Sequence, residues 1–190
     1  MRVLVAGLIG GILVFAWGAL AHMLLPIGEM GFRTAVGQES AISAIQASAE
    51  PGDGVYMLPG MSPEQWQDEG QRAAFIQRYE SSPYAFVVYR ADGNPAMASM
   101  GPSLVKQFLS VFAGAVLMAW ILSSMASGFG RRVLVAGCLG LFAWLAVSVP
   151  YWNWYRFPTD FTLAALVEQV VGWTLGGAGA AWWLGRRRKG

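Results

Sequence analysis

The chain combines four long apolar runs with one long polar stretch. The runs cover 3–25, 104–126, 133–149 and 161–184, and none of them carries more than one charged residue. At about 1.5 Å per helical residue, three of them reach roughly 35 Å, more than the ~30 Å hydrocarbon thickness of a bilayer. The third reaches only roughly 26 Å and needs its flanking aromatic residues to span. The pattern predicts four transmembrane helices.

The polar stretch, 26–103, reads as a small domain. Its pattern predicts a helix over 38–49, a strand over 55–58, a helix from Ser62 to about Tyr79 and a strand over 84–90. Ser62 and Gln65 form a capping box, with a proline between them in the first turn. The two strands are expected to form a two-stranded sheet.

The predicted fold class is therefore mainly α, a four-helix transmembrane bundle with a small extracytoplasmic α/β insertion between helices 1 and 2. The predicted divisions are the first transmembrane helix at 1–25, the extracytoplasmic α/β domain at 26–103, and transmembrane helices 2–4 with a basic cytoplasmic tail at 104–190. The composition agrees, because 55% hydrophobic and 13% charged residues are too apolar for an ordinary soluble domain.

Basic residues set the predicted orientation. If the chain crosses the membrane four times, seven basic residues and no acidic residue fall at the span ends on one side. The seven are Arg2, Arg131, Arg132, Arg186, Arg187, Arg188 and Lys189. By the positive-inside rule that side is the cytoplasm, so both termini are expected there. Residues 26–103 are then expected in the periplasm of a bacterium whose inner membrane holds the protein. Arginine outnumbers lysine eleven to two, which favours a bacterial source.

Two alternatives to this placement are less favoured. Residues 19–21, Ala-Leu-Ala, imitate the cleavage site of a signal peptide, but the apolar run continues to Pro26 and is longer than a usual signal h-region. We expect the run to remain as a span, and the sequence leaves open whether it is cleaved. The basic tail is expected to contact anionic lipid rather than nucleic acid.

The loop predicted over 150–158 is dense in aromatic residues. Aromatic side chains at a helix end are typical of the belt at the headgroup level, which we favour over ligand contact. The residues concerned are Tyr151, Trp152, Trp154 and Tyr155.

Ionisable residues inside the predicted spans are the main candidates for chemistry. His22 and Glu168 each share a helix face with glycines, and such faces are where membrane helices approach closely. Both lie near the outer ends of their spans, so we expect a polar cluster of His22, Lys106, Glu168 and Gln169. Glu29 and Asp160 are expected at its mouth. Lys106 is the rival of His22 as the partner of Glu168. Glu168 and its partner could simply fix helix register, or the cluster could handle protons or ions or line a small-ligand pocket.

Metal binding is a weaker alternative, and no cofactor is expected. Imidazole and thioether groups suit Cu(I), and the candidates are His22, Met23, Met57, Met61, Met97 and Met100. Haem held by His22 and a methionine is less favoured still, since the chain has one histidine. The single cysteine, Cys138, excludes an internal disulfide.

Enzyme motifs are absent from the sequence, which lacks GxSxG, a P-loop and HExxH. We therefore expect a non-enzymatic accessory or interaction protein, with a protein partner or a second copy of the chain. A small oligomeric transporter or ion-coupled protein using His22, Lys106 and Glu168 is the alternative. A membrane enzyme acting on a lipid or quinone has less support.

Four segments also carry a family resemblance. They are AHMLLPIGEMG at 21–31, GVYMLPGM at 54–61, SPYAFVVYR at 82–90 and YWNWYRFP at 151–158. Together they resemble segments of uncharacterised bacterial four-span inner-membrane proteins over most of the chain. The resemblance implies the architecture given above and brings no known activity with it.

Overall fold

The computed structural model describes residues 1–49 and 52–186, without the side chain of Met97. The chain divides into two compact units, one of Met1–Arg33 with Ala98–Gly190 and one of Thr34–Met97. The seven α-helices of the described residues are α1 (Arg2–Met23), α2 (Gln38–Ser48), α3 (Pro63–Gln67), α4 (Glu69–Ser81), α5 (Met100–Ser124), α6 (Phe129–Tyr155) and α7 (Thr159–Gly185). The strands are β1 (Gly54–Leu58) and β2 (Ala85–Tyr89).

Four of these helices, α1, α5, α6 and α7, are long and apolar enough to cross a membrane. They have 22, 25, 27 and 27 residues. The prediction of a mainly α chain with four membrane-length helices and a small two-stranded sheet is confirmed. A multi-pass membrane protein follows from these lengths and compositions.

The loop predicted over 150–158 is wrong for its first residues, because α6 continues through Pro150 to Tyr155. A proline inside a helix removes one backbone hydrogen bond, but here the aromatic rings beyond it pack along the helix. Tyr151 lies against Tyr155 and Phe157 at ring-centroid distances of 5.4 and 5.3 Å. The helix ends where Arg156 adopts a left-handed conformation (φ 58°). The added turns make the marginal third span one of the two longest helices.

Small residues form the core of the first unit. Helix α1 packs against α5 and α7, and α6 packs mainly against α7. The fully buried side chains are mostly alanines, and they include Ala6, Ala115, Ala119, Ala136 and Ala180. Small side chains let membrane helices approach closely, which is the main source of packing between them.

Two GxxxG pairs, Gly7/Gly11 in α1 and Gly172/Gly176 in α7, face neighbouring helices of the same chain. A Cβ atom at Gly11 would lie 3.2 Å from the Cα of Phe112 in α5, and one at Gly176 would lie 2.9 Å from the carbonyl oxygen of Gly10 in α1. These glycine faces are therefore covered by neighbouring helices of the same chain.

Basic residues occupy the helix ends where α1 begins, α6 begins and α7 ends. The Arg2 guanidinium donates to the carbonyls of Leu184 and Arg186 at 2.7 and 2.9 Å, which ties the start of α1 to the end of α7. Arg132 donates to the carbonyl of Met125 at 3.0 Å, beside the turn between α5 and α6. Cations near a helix C-terminus complement its dipole. Arg187, Arg188 and Lys189 of the predicted tail lie outside the described residues.

The second unit contains a two-stranded antiparallel sheet, and the chain passes through α3 and α4 between its two strands. Strands β1 and β2 pair in register from Gly54 opposite Tyr89 to Leu58 opposite Ala85. The predicted strands are thus present, each ending within one residue of its expected limits.

The single helix predicted from Ser62 to about Tyr79 is two helices, α3 and α4. The predicted capping box is present. The backbone N–H of Gln65 donates to Ser62 Oγ, and the backbone N–H of Ser62 donates to Gln65 Oε1. The break comes at Asp68, whose backbone is extended and whose carboxylate accepts from the Gln71 amide at 2.8 Å. An aspartate at the N-cap stabilises a new helix start, so the chain stops α3 and begins α4 there.

Candidate functional site

A pocket of about 530 Å³ lies between α1, α5 and α7 in the first unit. Its walls are mostly apolar, and it has polar side chains on all three helices. Those polar side chains are His22 of α1, Gln107 and Ser110 of α5, and Glu168 and Gln169 of α7. Aromatic side chains of Phe15, Trp17 and Trp173 complete the walls.

His22 and Glu168 meet in this pocket. Nε2 of His22 lies 3.2 Å from Oε1 of Glu168, with side-chain exposures of 55% and 32%. Because an ionised carboxylate can only accept a hydrogen bond, the donor to such a carboxylate is Nε2 of His22. No described residue bonds to the second carboxylate oxygen of Glu168. That oxygen is available to a ligand.

Neighbouring contacts hold the pair in place. The indole Nε1 of Trp17 donates to the backbone carbonyl of Glu168 at 3.1 Å and links α1 to α7. Gly28 packs on His22, since a Cβ atom at Gly28 would lie 2.7 Å from the His22 Cα. Only a glycine fits there, which fixes the chain as it turns away from α1.

The other two members of the predicted cluster lie differently. Gln169 lines the pocket, and its Oε1 accepts from Nε1 of Trp173 at 2.9 Å. Lys106 is exposed and does not line the pocket, and no described residue forms an ion pair with it. Its neighbour Gln107 enters the pocket instead, one position further along α5.

The two residues predicted at the mouth are separate from the pocket lining. Asp160, in the first turn of α7, accepts from Arg33 Nη2 at 2.9 Å. Glu29 ends a short 3₁₀ turn, Pro26–Glu29, that follows α1. Arg33 is the partner that the sequence prediction missed, because residues 127 positions apart give no pattern that pairs them.

The aromatic residues at the end of α6 border a second, smaller pocket. Trp152 lines it with Arg156 and Thr159, and the indole of Trp152 donates to Thr159 Oγ1 at 3.1 Å. Tyr151 and Tyr155 pack against each other, and Trp154 is largely exposed. The exposure of Trp154 is compatible with the predicted interfacial role.

Three of the soft-ligand candidates share the main pocket, namely His22, Met23 and Met100. Met57 is in β1 and Met61 follows it, both in the second unit, and the side chain of Met97 lies outside the description. Among the described residues, no group of three or more His, Cys, Asp or Glu could hold a metal ion.

The two-stranded sheet of the second unit has an exposed apolar face. Val55 pairs with Val88 across the strands, and Met57 lies on the same face two residues along β1. Their exposures are 60%, 68% and 49%. The sequence of this unit, 34–97, contains eight acidic residues and three arginines, a formal charge of −5. An apolar face therefore sits on an acidic domain.

Arg90, which follows β2, forms ion pairs at one end of the two-stranded sheet. It bonds to Asp92 at 2.9 Å and to Asp53, in the segment before β1, at 3.2 Å. The hydrogen bond from the Arg90 guanidinium lowers the pKa of the Asp92 carboxyl below its usual value.

No protein-family model, curated protein or solved structure matches this chain. The resemblance to four-span bacterial membrane proteins therefore rests on its four sequence segments, and the function has to be inferred from the molecule itself.

Proposed function

We propose that the chain is a multi-pass protein of the bacterial inner membrane and a non-enzymatic accessory protein that binds another protein through its second unit. Both termini are cytoplasmic in this proposal, and residues 26–103 are periplasmic. The basic residues at the starts of α1 and α6 and the end of α7 support that orientation by the positive-inside rule.

The observation that carries the proposal is the exposed apolar face of the two-stranded sheet, formed by Val55, Met57 and Val88. Contiguous exposed apolar side chains on a water-soluble domain are typical of interaction sites. The charge of the unit favours a protein over a membrane surface, because a domain of formal charge −5 is repelled by anionic lipid. The expected partner surface is apolar at its centre and basic around it.

Site-specific photo-crosslinking tests this proposal. With p-benzoylphenylalanine at position 88 of the full-length protein in its native membrane, we expect one crosslinked protein that also co-purifies stoichiometrically in mild detergent. Val88→Lys should abolish co-purification. Val36→Lys adds the same charge at a fully exposed position of the same unit and should leave co-purification unchanged. Equal co-purification with both variants, or no crosslinked protein, would overturn the proposal.

A second candidate function is a small transporter or ion-coupled protein, and the His22–Glu168 pair in the pocket favours it. Ionisable residues inside a membrane are costly and are commonly functional. Four spans are few for a transporter, so this reading needs an oligomer. Glu168→Gln and His22→Ala distinguish it from a structural pair, since loss of transport or phenotype with normal membrane levels supports it and loss of the protein from the membrane contradicts it.

A further inference from the structure

The side chains that line the pocket between α1, α5 and α7 restrict the class of ligand that it can bind. Its volume of about 530 Å³ lies within the ~300–1,000 Å³ range of pockets for small organic molecules. Most of its lining is apolar, so a ligand needs an apolar body. Ligand binding in this pocket is independent of partner binding by the second unit, and it does not require that the ligand be transported.

Charge decides what the polar end of the ligand must be. The lining contains no lysine or arginine, and Glu168 is its one carboxylate. Apart from the His22 imidazole, the lining offers no basic side chain to balance the Glu168 carboxylate. In a low-dielectric site a cation is attracted strongly and an anion is repelled. Anionic head groups such as lipid phosphates are therefore disfavoured.

The aromatic side chains of the lining also favour a cation. Phe15, Trp17 and Trp173 border the space around Glu168, and aromatic faces attract organic cations through their quadrupoles. The lining is a poor site for hard metal cations such as Ca²⁺ and Mg²⁺. Ca²⁺ and Mg²⁺ need several oxygen ligands, and the pocket has a single carboxylate.

We propose that this pocket binds an amphipathic organic cation, with its charged centre at the second carboxylate oxygen of Glu168 and its apolar body against Phe15, Trp17 and Trp173.

Two isosteric ions test the proposal directly. Tetraphenylphosphonium and tetraphenylborate have nearly the same size and shape and opposite charge. Equilibrium dialysis against the full-length protein in zwitterionic nanodiscs, with empty nanodiscs as the blank, should show saturable binding of the phosphonium and none of the borate. Saturable binding of both ions, or of neither, would overturn the proposal.

Two pairs of variants locate the site. Glu168→Gln should weaken phosphonium binding at least about tenfold, while Glu80→Gln, the same change in the second unit, should leave it unaltered. Gly18→Leu should abolish binding by filling the pocket without removing the charge. A Cβ atom at Gly18 meets only Glu168 Oε1, at 3.9 Å, so the longer side chain extends into the space.

Gly101→Leu is the matched control, because a Cβ atom at Gly101 meets nothing within 4 Å and this residue does not line the pocket. Gly18→Leu keeps the His22–Glu168 pair, so it remains informative even if Glu168→Gln fails to fold. Unchanged phosphonium binding by folded Glu168→Gln or Gly18→Leu would show that the cation binds elsewhere.

Discussion

Single glycines set how closely the long helices approach. At Gly140 of α6, an added Cβ atom would lie 2.6 Å from the backbone carbonyl oxygen of Gln169 in α7. The backbone fixes the position of the Cβ atom, and the carbonyl is itself part of the backbone, so neither can rotate away. At Gly130, nearer the start of the same helix, a Cβ atom would meet nothing within 4 Å.

Gly140→Ala is therefore expected to destabilise the protein by about 1–3 kcal/mol, the usual cost of overpacking a core. Its thermal midpoint in detergent, followed by circular dichroism, should fall. Gly130→Ala makes the same change without a contact, and the better helix propensity of alanine should leave the midpoint equal or slightly higher. A midpoint for Gly140→Ala that matches the Gly130→Ala value would contradict the close approach of α6 and α7.

Arg90 is expected to control the ionisation of Asp92. Its guanidinium lowers the pKa of the Asp92 carboxyl, so the ionised form is favoured in the folded state. That stabilisation is present above the usual aspartate pKa of about 3.9 and is lost as the pH falls through the lower folded value.

The carboxyl ¹³C shift assigned to Asp92 in the aspartate-labelled protein should titrate below the usual range, and Arg90→Gln should raise its pKa. Arg72→Gln should leave that pKa unchanged. A pKa of Asp92 that is the same with and without Arg90 would contradict this assignment.

The residue scale also shows what the sequence could predict about the candidate site. Helical spacing placed His22 and Glu168 on glycine-containing faces, and the structure joins them. Spacing could not choose between His22 and Lys106 as the partner of Glu168, because that choice depends on how α5 is rotated about its axis. Gln107 was missed for the same reason. Its i, i+3 and i+4 relation to Leu104, Ser110 and Val111, which also line the pocket, is the signal that could have found it.

At the scale of elements, Asp68 separates α3 from α4, although the hydrophobic pattern predicts one continuous helix. Periodicity continues across α3 and α4, so the sequence predicted one helix. Asp68, however, is followed by an acidic first turn and offers its carboxylate to the Gln71 amide. A local side-chain hydrogen bond competes here with continuation of the helix.

Asp68→Ala should remove the cap and destabilise the start of α4 by about 1 kcal/mol. Hydrogen exchange read by mass spectrometry should show faster exchange in the first turn of α4. Asp68→Asn preserves an acceptor and should keep most of the protection. If Asp68→Ala exchanges as slowly as wild type, the cap contributes nothing to the start of α4.

Helix α6 shows the opposite error. The apolar run ends before Pro150, and a proline followed by polar and aromatic residues predicts a loop. The helix continues because only one backbone hydrogen bond is lost, while Tyr151 gains ring contacts with Tyr155 and Phe157. Local helix propensity does not include these contacts, because they form only once the helix exists.

At the scale of the whole molecule, the apolar and polar patterns were sufficient for the architecture. Four membrane-length helices and a two-stranded sheet follow from runs that are long and unambiguous. The pocket could not be predicted, because it depends on how far α1, α5 and α7 stand apart. Partner binding requires that the second unit face the periplasm, as the proposed function states.

The proposed function therefore depends on the orientation of the protein in the membrane, and single-cysteine labelling measures that orientation most directly. In a Cys138→Ser background, Ala47→Cys reports on α2 in the second unit and Ala126→Cys on the turn between α5 and α6, both at exposed positions. A membrane-impermeant maleimide applied outside the inner membrane should label position 47 at once and position 126 only after the membrane is permeabilised. Labelling of position 126 before position 47 would contradict the proposed orientation, and with it the periplasmic binding surface.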